Sequence, residues 1–198
     1  VLSDAFSGET VRQWDAVEER IVPDTHTVEL RTKGGHVIIT ENEAGVYVED
    51  ADGRRELLTE GFIRLPRFAN SRYGRKLRVL HQEILFNVLN GAPLPNIFAY
   101  GKPWYRDAAM MAMALSFTGN LHLIADWIRS IREPYDMNNG EAEPDNLGQV
   151  LYLVSLVTNS THPVVDAVLD AAASARSGGQ LHGRTDGSEH PVYQTKWM

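Results

Sequence analysis

The sequence predicts a mainly α-helical chain with a small antiparallel β segment on its N-terminal side. Three observations carry that expectation. Apolar residues recur at helical spacing over 75–90, about 105–132 and 145–176. Ala109–Asn120 (AMMAMALSFTGN) aligns without a gap with Gln149–Ser160 (QVLYLVSLVTNS), and Leu121–Ile128 with Thr161–Val168, both at an offset of 40 residues. Antiparallel helical hairpins at a 40-residue period are therefore expected. Alternation of the strand type, bounded by turn residues, is confined to the stretch from Thr27 to Thr59.

Taken in order, Glu9–Arg20 reads as a short helix, with Trp14, Val17 and Ile21 at helical spacing and Pro23 as its stop. Thr27–Thr32 (TVELRT) and His36–Thr40 (HVIIT), joined through Gly34-Gly35, read as a hairpin. Gly45–Glu49 and Arg54–Thr59, joined through Asp52-Gly53, read as a second. Residues 1–66 thus form a first region of helix plus β-hairpins, and Pro66–Tyr73 is a linker. The second region, 73–198, opens with an amphipathic helix over Arg75–Asn90 on Leu77, Leu80, Ile84 and Val88. Asn90-Gly91, Pro93 and Pro95 end it. Two helical hairpins follow, separated by the acidic loop Glu133–Glu143, and Ser177-Gly178-Gly179 closes the second. Adding 40 residues once more places the start of a third first-helix near Ser188–Val192, so the region holds about two and a half hairpins. The Met110, Met111, Met113 run is expected in the core. An open hairpin end leaves an apolar face bare. It is expected to be closed by a further chain segment, by a second copy, or by the N-terminal β segment.

Composition bounds the function. The chain has 198 residues, 43% of them hydrophobic and 23% charged, which suits a globular core. Its formal net charge of −7 gives no nucleic-acid footprint and disfavours polyanionic substrates. Cysteine is absent, so neither disulfides nor thiol chemistry arises. No apolar run approaches the roughly 18–20 residues of a membrane span. A soluble protein is expected, and both a bacterial cytoplasmic and a secreted location fit. Val1-Leu2-Ser3-Asp4 carries no signal-peptide pattern, and a larger parent protein is expected.

Candidate site residues gather at the mouths of the hairpins. Trp104-Tyr105-Arg106-Asp107 enters the first helix from a proline-rich loop. Asp107 there suits the exposed N–H groups of a first turn. Aromatic rings beside an Arg–Asp pair also suit a sugar, whose rings stack while its hydroxyls donate and accept. The second mouth carries Glu143, Asp145, Asn146 and Gln149, with Tyr152 nearby. Capping explains one of these polar residues, not all of them. The tail adds Glu189, His190, Tyr193, Gln194, Lys196 and Trp197. Asp136-Met137-Asn138-Asn139-Gly140 lacks the glycine register and final Glu of a calcium loop. His122 and His162 have no ligand partner at i+4, and no nucleophile motif appears. Neither a metal nor a cofactor is expected.

With Pro103-Trp104-Tyr105-Arg106-Asp107-Ala108-Ala109 and Glu143-Pro144-Asp145-Asn146-Leu147-Gly148-Gln149-Val150-Leu151-Tyr152, the chain resembles the six-hairpin glycosidase superfamily. This is the (α/α)6 toroid of glucoamylase-like and trehalase-like hydrolases, and the resemblance covers roughly Tyr73–Trp197. It implies part of a toroid-like array, with Arg106 and Asp107 holding sugar hydroxyls and Trp104 forming a pocket wall. It also implies acid/base hydrolysis of a glycosidic bond in an oligosaccharide. Inverting hydrolysis needs two carboxylates about 6.5–9.5 Å apart. Glu143 and Asp145, with Glu189 as a third candidate, would supply them. Glu143 is favoured as the acid because a desolvated loop position beside Pro144 favours its protonated form. The alternatives are a non-catalytic carbohydrate-binding module, which needs no carboxylate pair, and a helical-repeat interaction scaffold, which needs a partner surface along one helix face.

Overall fold

Five consecutive segments between Ala16 and Glu60 pair as strands, and this corrects the expected fold class from mainly α to mixed. Of the described residues, 35% are helical and 25% are in strands. The structure is a computed structural model that describes residues 1–4, 7–60, 63–158 and 161–198. The chain packs as two units, residues 1–86 with 118–120, and 87–117 with 121–198.

In the first unit, β1 (Leu2–Ser3) and β2 (Thr10–Arg12) pair with each other. Next come β3 (Ala16–Val22), β4 (Thr27–Thr32), β5 (Gly35–Asn42), β6 (Gly45–Glu49) and β7 (Arg55–Glu60), which form an antiparallel sheet in chain order. One face buries Leu30, Val37 and Val48 beneath Val28, Ile39, Leu58, Leu2 and Trp14. Cross-strand ion pairs mark the solvated side: Glu18–Arg31 at 2.7 Å and Arg20–Glu29 at 3.2 Å. Exposed pairs of this kind contribute about 0–1 kcal/mol each, so the apolar face supplies most of the sheet's stability. Gly35, at φ +123°, is required at the β4–β5 turn, because a Cβ there would lie 2.5 Å from Ala51 Cβ.

The expected helix over Glu9–Arg20 is β2 and the start of β3 instead. Val17 and Ile21 are four residues apart, a spacing that one face of a strand satisfies as well as one face of a helix. Glu18 and Arg20 then find opposite charges on β4, and strand pairing decides the outcome.

Helix α1 (Gly74–Phe86) completes this unit and stops four residues before the expected end at Asn90. Its His81 is buried, with Nε2 3.1 Å from Thr118 Oγ1 and 3.2 Å from Asn120 Nδ2. Gln82 of the next position sets its amide nitrogen 2.6 Å from His26 Nδ1 and 3.4 Å from Glu41. Burial lowers the affinity of both imidazoles for a proton. At His26, Arg78 adds to the effect and Glu41 opposes it; at His81, His26 adds to it. The unfolded chain takes up these protons near pH 6.5, before the folded chain does. Stability is therefore intact above that pH and falls as pH drops from about 7 toward 5. Thermal unfolding at half-unit pH steps is expected to show this slope, and a shallower one in His81→Gln. An identical slope in the variant would contradict it.

The second unit is helical around one central element. It contains α2 (Tyr105–Phe117), a 3-10 turn at Leu121–Leu123, α3 (Ala125–Ser130), α4 (Asp145–Val157), α5 (Val164–Ala175) and α6 (Pro191–Trp197). Short strand pairs fill the connections: β8 (Val88–Leu89) with β9 (Ala92–Pro93), β10 (Arg176–Ser177) with β11 (Gln180–Leu181), and β12 (Arg184–Thr185) with β13 (Ser188–Glu189). Helices α2, α3, α5 and α6 all pack on α4. Leu147, Val150 and Leu153 of α4 are fully buried, as are Ala108, Ala112 and Leu115 of α2. The small alanines let α2 approach α4 closely.

Helices α2 and α4 have 13 residues each and begin 40 residues apart, but no toroid-like hairpin array is evident. After α2 the chain returns through a 3-10 turn and a six-residue helix, whereas after α4 it returns through twelve-residue α5. Where a further first-helix was expected to begin, near Ser188–Val192, Ser188–Glu189 is a strand and α6 begins at Pro191. The turn signal at Asp186-Gly187 closes a β-hairpin there, Thr185 pairing with Ser188. Asn159 and Ser160, the end of the aligned segment, lie outside the described residues. The methionine run divides: Met111 is buried, while Met110 and Met113 are exposed, because α2 turns its alanines to α4. No helix among the described residues is long and apolar enough to cross a membrane.

Candidate functional site

The N-terminus of α2 leaves backbone N–H groups that need acceptors, and the loop before α4 supplies one. Asp136 Oδ2 accepts the Tyr105 N–H at 2.8 Å, while its Oδ1 accepts the Asn138 N–H at 3.0 Å. Asn138 Nδ2 in turn donates to the Pro103 carbonyl at 2.7 Å. This loop is thus tied to the start of α2, and that fixes Arg106 in the first turn of the helix.

The Arg106 guanidinium is held on every nitrogen. Its Nε lies 3.2 Å from Asp145 Oδ2, one terminal nitrogen 3.0 Å from Glu143 Oε2, and the other 2.7 Å from Asp186 Oδ2. Burial opposes the charge of Arg106, but the Asp186 hydrogen bond and the fields of Asp145, Asp186 and Glu143 outweigh it, so its proton is held more firmly than usual. The carboxylates behind it are closed to solvent. The Glu143 side chain is 3% exposed and that of Asp145 0%, whereas Asp186 is 62% exposed. Glu143 Oε1 also accepts the Asn139 amide at 2.8 Å and the Asp186 N–H at 2.7 Å. Asp145 accepts Gln149 Nε2 at 2.6 Å and the Thr185 hydroxyl at 2.8 Å. Each is saturated by protein donors.

A buried polar layer continues inward. Gln149 Oε1 takes the Asn146 amide at 3.1 Å, and Gln194 Nε2 donates to Thr185 Oγ1 at 2.9 Å and to the Gly183 carbonyl at 3.0 Å. Among the described residues, buried Gln194 Oε1 has no hydrogen-bond partner, and neither has Glu141 Oε2. Both are acceptors.

Asp107 differs from the locked carboxylates. It is half-buried, and the hydrogen bond at its carboxylate comes from its own backbone N–H. Burial raises its affinity for a proton, against Arg106 and that N–H; Asp136 and Asp186 add to the rise. Trp104, half-buried beside it in sequence, stands edge-on to Tyr100 at 5.6 Å between ring centroids. Tyr193, 39% exposed, reaches the neighbourhood of Asp145 and Arg106, and burial pushes its hydroxyl above the ordinary range.

Apart from Trp104 and Asp107, the candidate residues therefore separate into three sets. Arg106, Glu143, Asp145, Gln149 and Gln194 share one hydrogen-bonded network, with Tyr193 at its edge. Tyr105 and Tyr152 are placed otherwise. Tyr105 is a buried packing residue whose hydroxyl donates to the Glu133 carbonyl at 3.0 Å and is pushed up to about 12 by burial, with Asp136 and Glu133 adding. Tyr152 is half-buried, its hydroxyl raised by burial. Glu189, His190 and Lys196 are exposed, and the His190 carbonyl accepts the Gln194 N–H at 2.9 Å, while Trp197 contributes its backbone to the contact between α6 and α4. The residues that sequence reasoning missed are Asp186, Thr185 and Asn139. Asp186 precedes Gly187 in the turn of the β12–β13 hairpin.

Comparison with protein-family models, curated proteins and solved structures finds no match to this chain. The expected likeness to the six-hairpin glycosidases is corrected by that result and by the fold, which among the described residues has a five-stranded antiparallel sheet and six α-helices in place of an array of hairpins. Of the residues that suggested it, Arg106, Glu143, Asp145 and Gln149 come together in a local hydrogen-bonded network that Asp186 and Thr185 of the β12–β13 hairpin complete. Among the described residues no cluster of His, Asp and Glu could hold a metal ion.

Proposed function

We propose that the second unit carries a binding site for a neutral, hydroxyl-rich ligand, a carbohydrate, at Trp104, Asp107, Asp186 and Tyr193. The observation that supports this most is the complete engagement of Arg106 by Glu143, Asp145 and Asp186. It takes Arg106 out of ligand binding and leaves Asp107 and exposed Asp186 as acceptors. The Arg106 guanidinium faces the carboxylates of Glu143, Asp145 and Asp186 and also acts on that of Asp107. Such a surface repels anions and accepts from hydroxyl donors. Aromatic rings at Trp104 and Tyr193 supply apolar area for a sugar face. Glu143 and Asp145, saturated and closed to solvent, serve as supports in this role.

Isothermal titration with a neutral oligosaccharide tests it. Trp104→Ala and Asp107→Ala are each expected to weaken binding about tenfold, equivalent to about 1.4 kcal/mol, with unfolding midpoints kept. Affinity unchanged in both variants would refute the site.

Hydrolysis is the second candidate, favoured by one feature. Burial raises the affinity of Asp107 for a proton, while exposed Asp186 accepts from the Arg106 guanidinium; carboxyls in such unlike environments can divide acid and base roles. In that case Asp107→Asn abolishes turnover of an oligosaccharide while keeping most of the affinity. A binding module shows no turnover to lose.

A further inference from the structure

The first unit has an open recess of about 930 Å³ between the β3–β4 turn, the β5–β6 turn and α1. The charged and titratable groups on its wall are Asp24, His26, Glu41, Glu43, Arg67 and Arg78. Its acceptors are already engaged. Asp24 takes a terminal N–H of Arg78, and Glu41 the amide of Gln82 at 3.4 Å. Glu43 takes the Leu65 N–H and an Arg64 terminal nitrogen, each at 3.4 Å. Its donors are not exhausted. Arg67 is exposed and has no hydrogen bond or ion pair among the described residues. Of the five N–H groups of the Arg78 guanidinium, one serves the Asp24 carboxylate and one its backbone carbonyl. His26 sets Nδ1 against the Gln82 amide nitrogen at 2.6 Å. With Nδ1 accepting, the proton of the neutral ring is on Nε2, a free donor. The wall carries the carboxylates of Asp24, Glu41 and Glu43 and the guanidiniums of Arg67 and Arg78; Arg78 pairs with Asp24, and Arg64, from outside the wall, pairs with Glu43, which leaves Arg67 without a carboxylate partner among the described residues.

We propose that this recess binds a small oxyanion, a phosphate or carboxylate group, through Arg67 and Arg78 with His26 Nε2–H as a further donor. Guanidinium N–H groups match the oxygens of both groups, singly or in bidentate pairs. The unmet capacity here is for acceptors, the reverse of the acidic network in the second unit, and the two sites call for ligands of opposite hydrogen-bonding character.

Titration of the full chain with inorganic phosphate and, separately, with succinate, followed by amide NMR at fixed ionic strength, tests this. Saturable shifts confined to residues 24–26, 40–44 and 67 are expected with at least one of them. Phosphate alone would mark a phosphate-bearing ligand, succinate alone a carboxylate, and both a general oxyanion site. Arg67→Ala, an exposed position, is expected to weaken binding at least tenfold with the spectrum otherwise preserved. Shifts that never saturate with either probe, or that persist undiminished in Arg67→Ala, would overturn the proposal. Loss of sugar binding in the second unit would leave these shifts unchanged, so the two sites fail independently.

Discussion

Arg106→Ala is expected to be the most damaging single substitution in the protein, lowering its stability by about 3–5 kcal/mol, the usual cost of breaking a buried ion pair from one side. The reason lies behind the guanidinium. Glu143 and Asp145 are almost wholly closed to solvent, and without Arg106 each keeps a charge that neither water nor a cation compensates. Asp186, mostly exposed, is rehydrated and contributes little. The pH dependence identifies the mechanism. In the variant, burial favours the protonated carboxyls, a form the unfolded chain adopts only at lower pH. The deficit is therefore full at neutral pH and narrows as pH falls through the carboxylate range. Denaturant unfolding at pH 7 and pH 4.5 measures both. Adding Glu143→Gln to Arg106→Ala should recover part of the loss by removing one uncompensated charge, whereas Glu143→Gln alone should cost stability. A deficit that is the same at both pH values would point to lost packing in place of lost charge compensation.

The second large effect is expected at Gly148, on the side of α4 that meets α6. Glycine in the middle of a helix normally costs about 1 kcal/mol relative to alanine, so Gly148→Ala would be stabilising if helix propensity decided the outcome. It does not. A Cβ at this position would lie 2.2 Å from the Trp197 carbonyl oxygen, 2.3 Å from its carbon and 2.7 Å from its Cβ. Two of these atoms are backbone, so no rotamer change relieves the contact and α6 must move. The net expectation is destabilisation by about 1–3 kcal/mol, the range for overpacking. The Trp197 indole resonance should shift with it, as should the amide of Gln194, whose side chain joins α6 to Thr185 and Gly183. A Gly148→Ala protein with a higher unfolding midpoint would show that α6 is only loosely placed.

Much of the local structure was legible because its signals were strong and redundant. β4 and β6 follow the expected segments, where alternation and the Gly34-Gly35 and Asp52-Gly53 turns agree. α1, α2 and α4 follow the apolar periodicity. The N-terminal helix failed where the spacing of Val17 and Ile21 suited two periods at once, and only pairing with β4, a tertiary fact, decides between them. The larger array failed because the similarity between the two segments at an offset of 40 residues describes α2 and α4 alone, and their partners diverge. At the site, the sequence marked Arg106, Glu143, Asp145 and Gln149 as belonging together. It did not show that the carboxylates would turn inward to fix the arginine. That requires Asp186 and Thr185 to return from a hairpin some 40 residues further along the chain. Nor could it show that Tyr105 faces the core.

The most direct test of the central claim, a locked arginine and hence an acceptor-rich site for neutral sugars, is a comparison of two ligands of equal length. Amide NMR would follow titration of the intact protein with a neutral glucan tetrasaccharide and with its uronic-acid counterpart. Saturable shifts around Trp104, Asp107 and Tyr193 with the neutral sugar, and none with the acidic one, are the predicted result. Equal or tighter binding of the uronate would mean that Arg106 is available to the ligand, and would contradict the account.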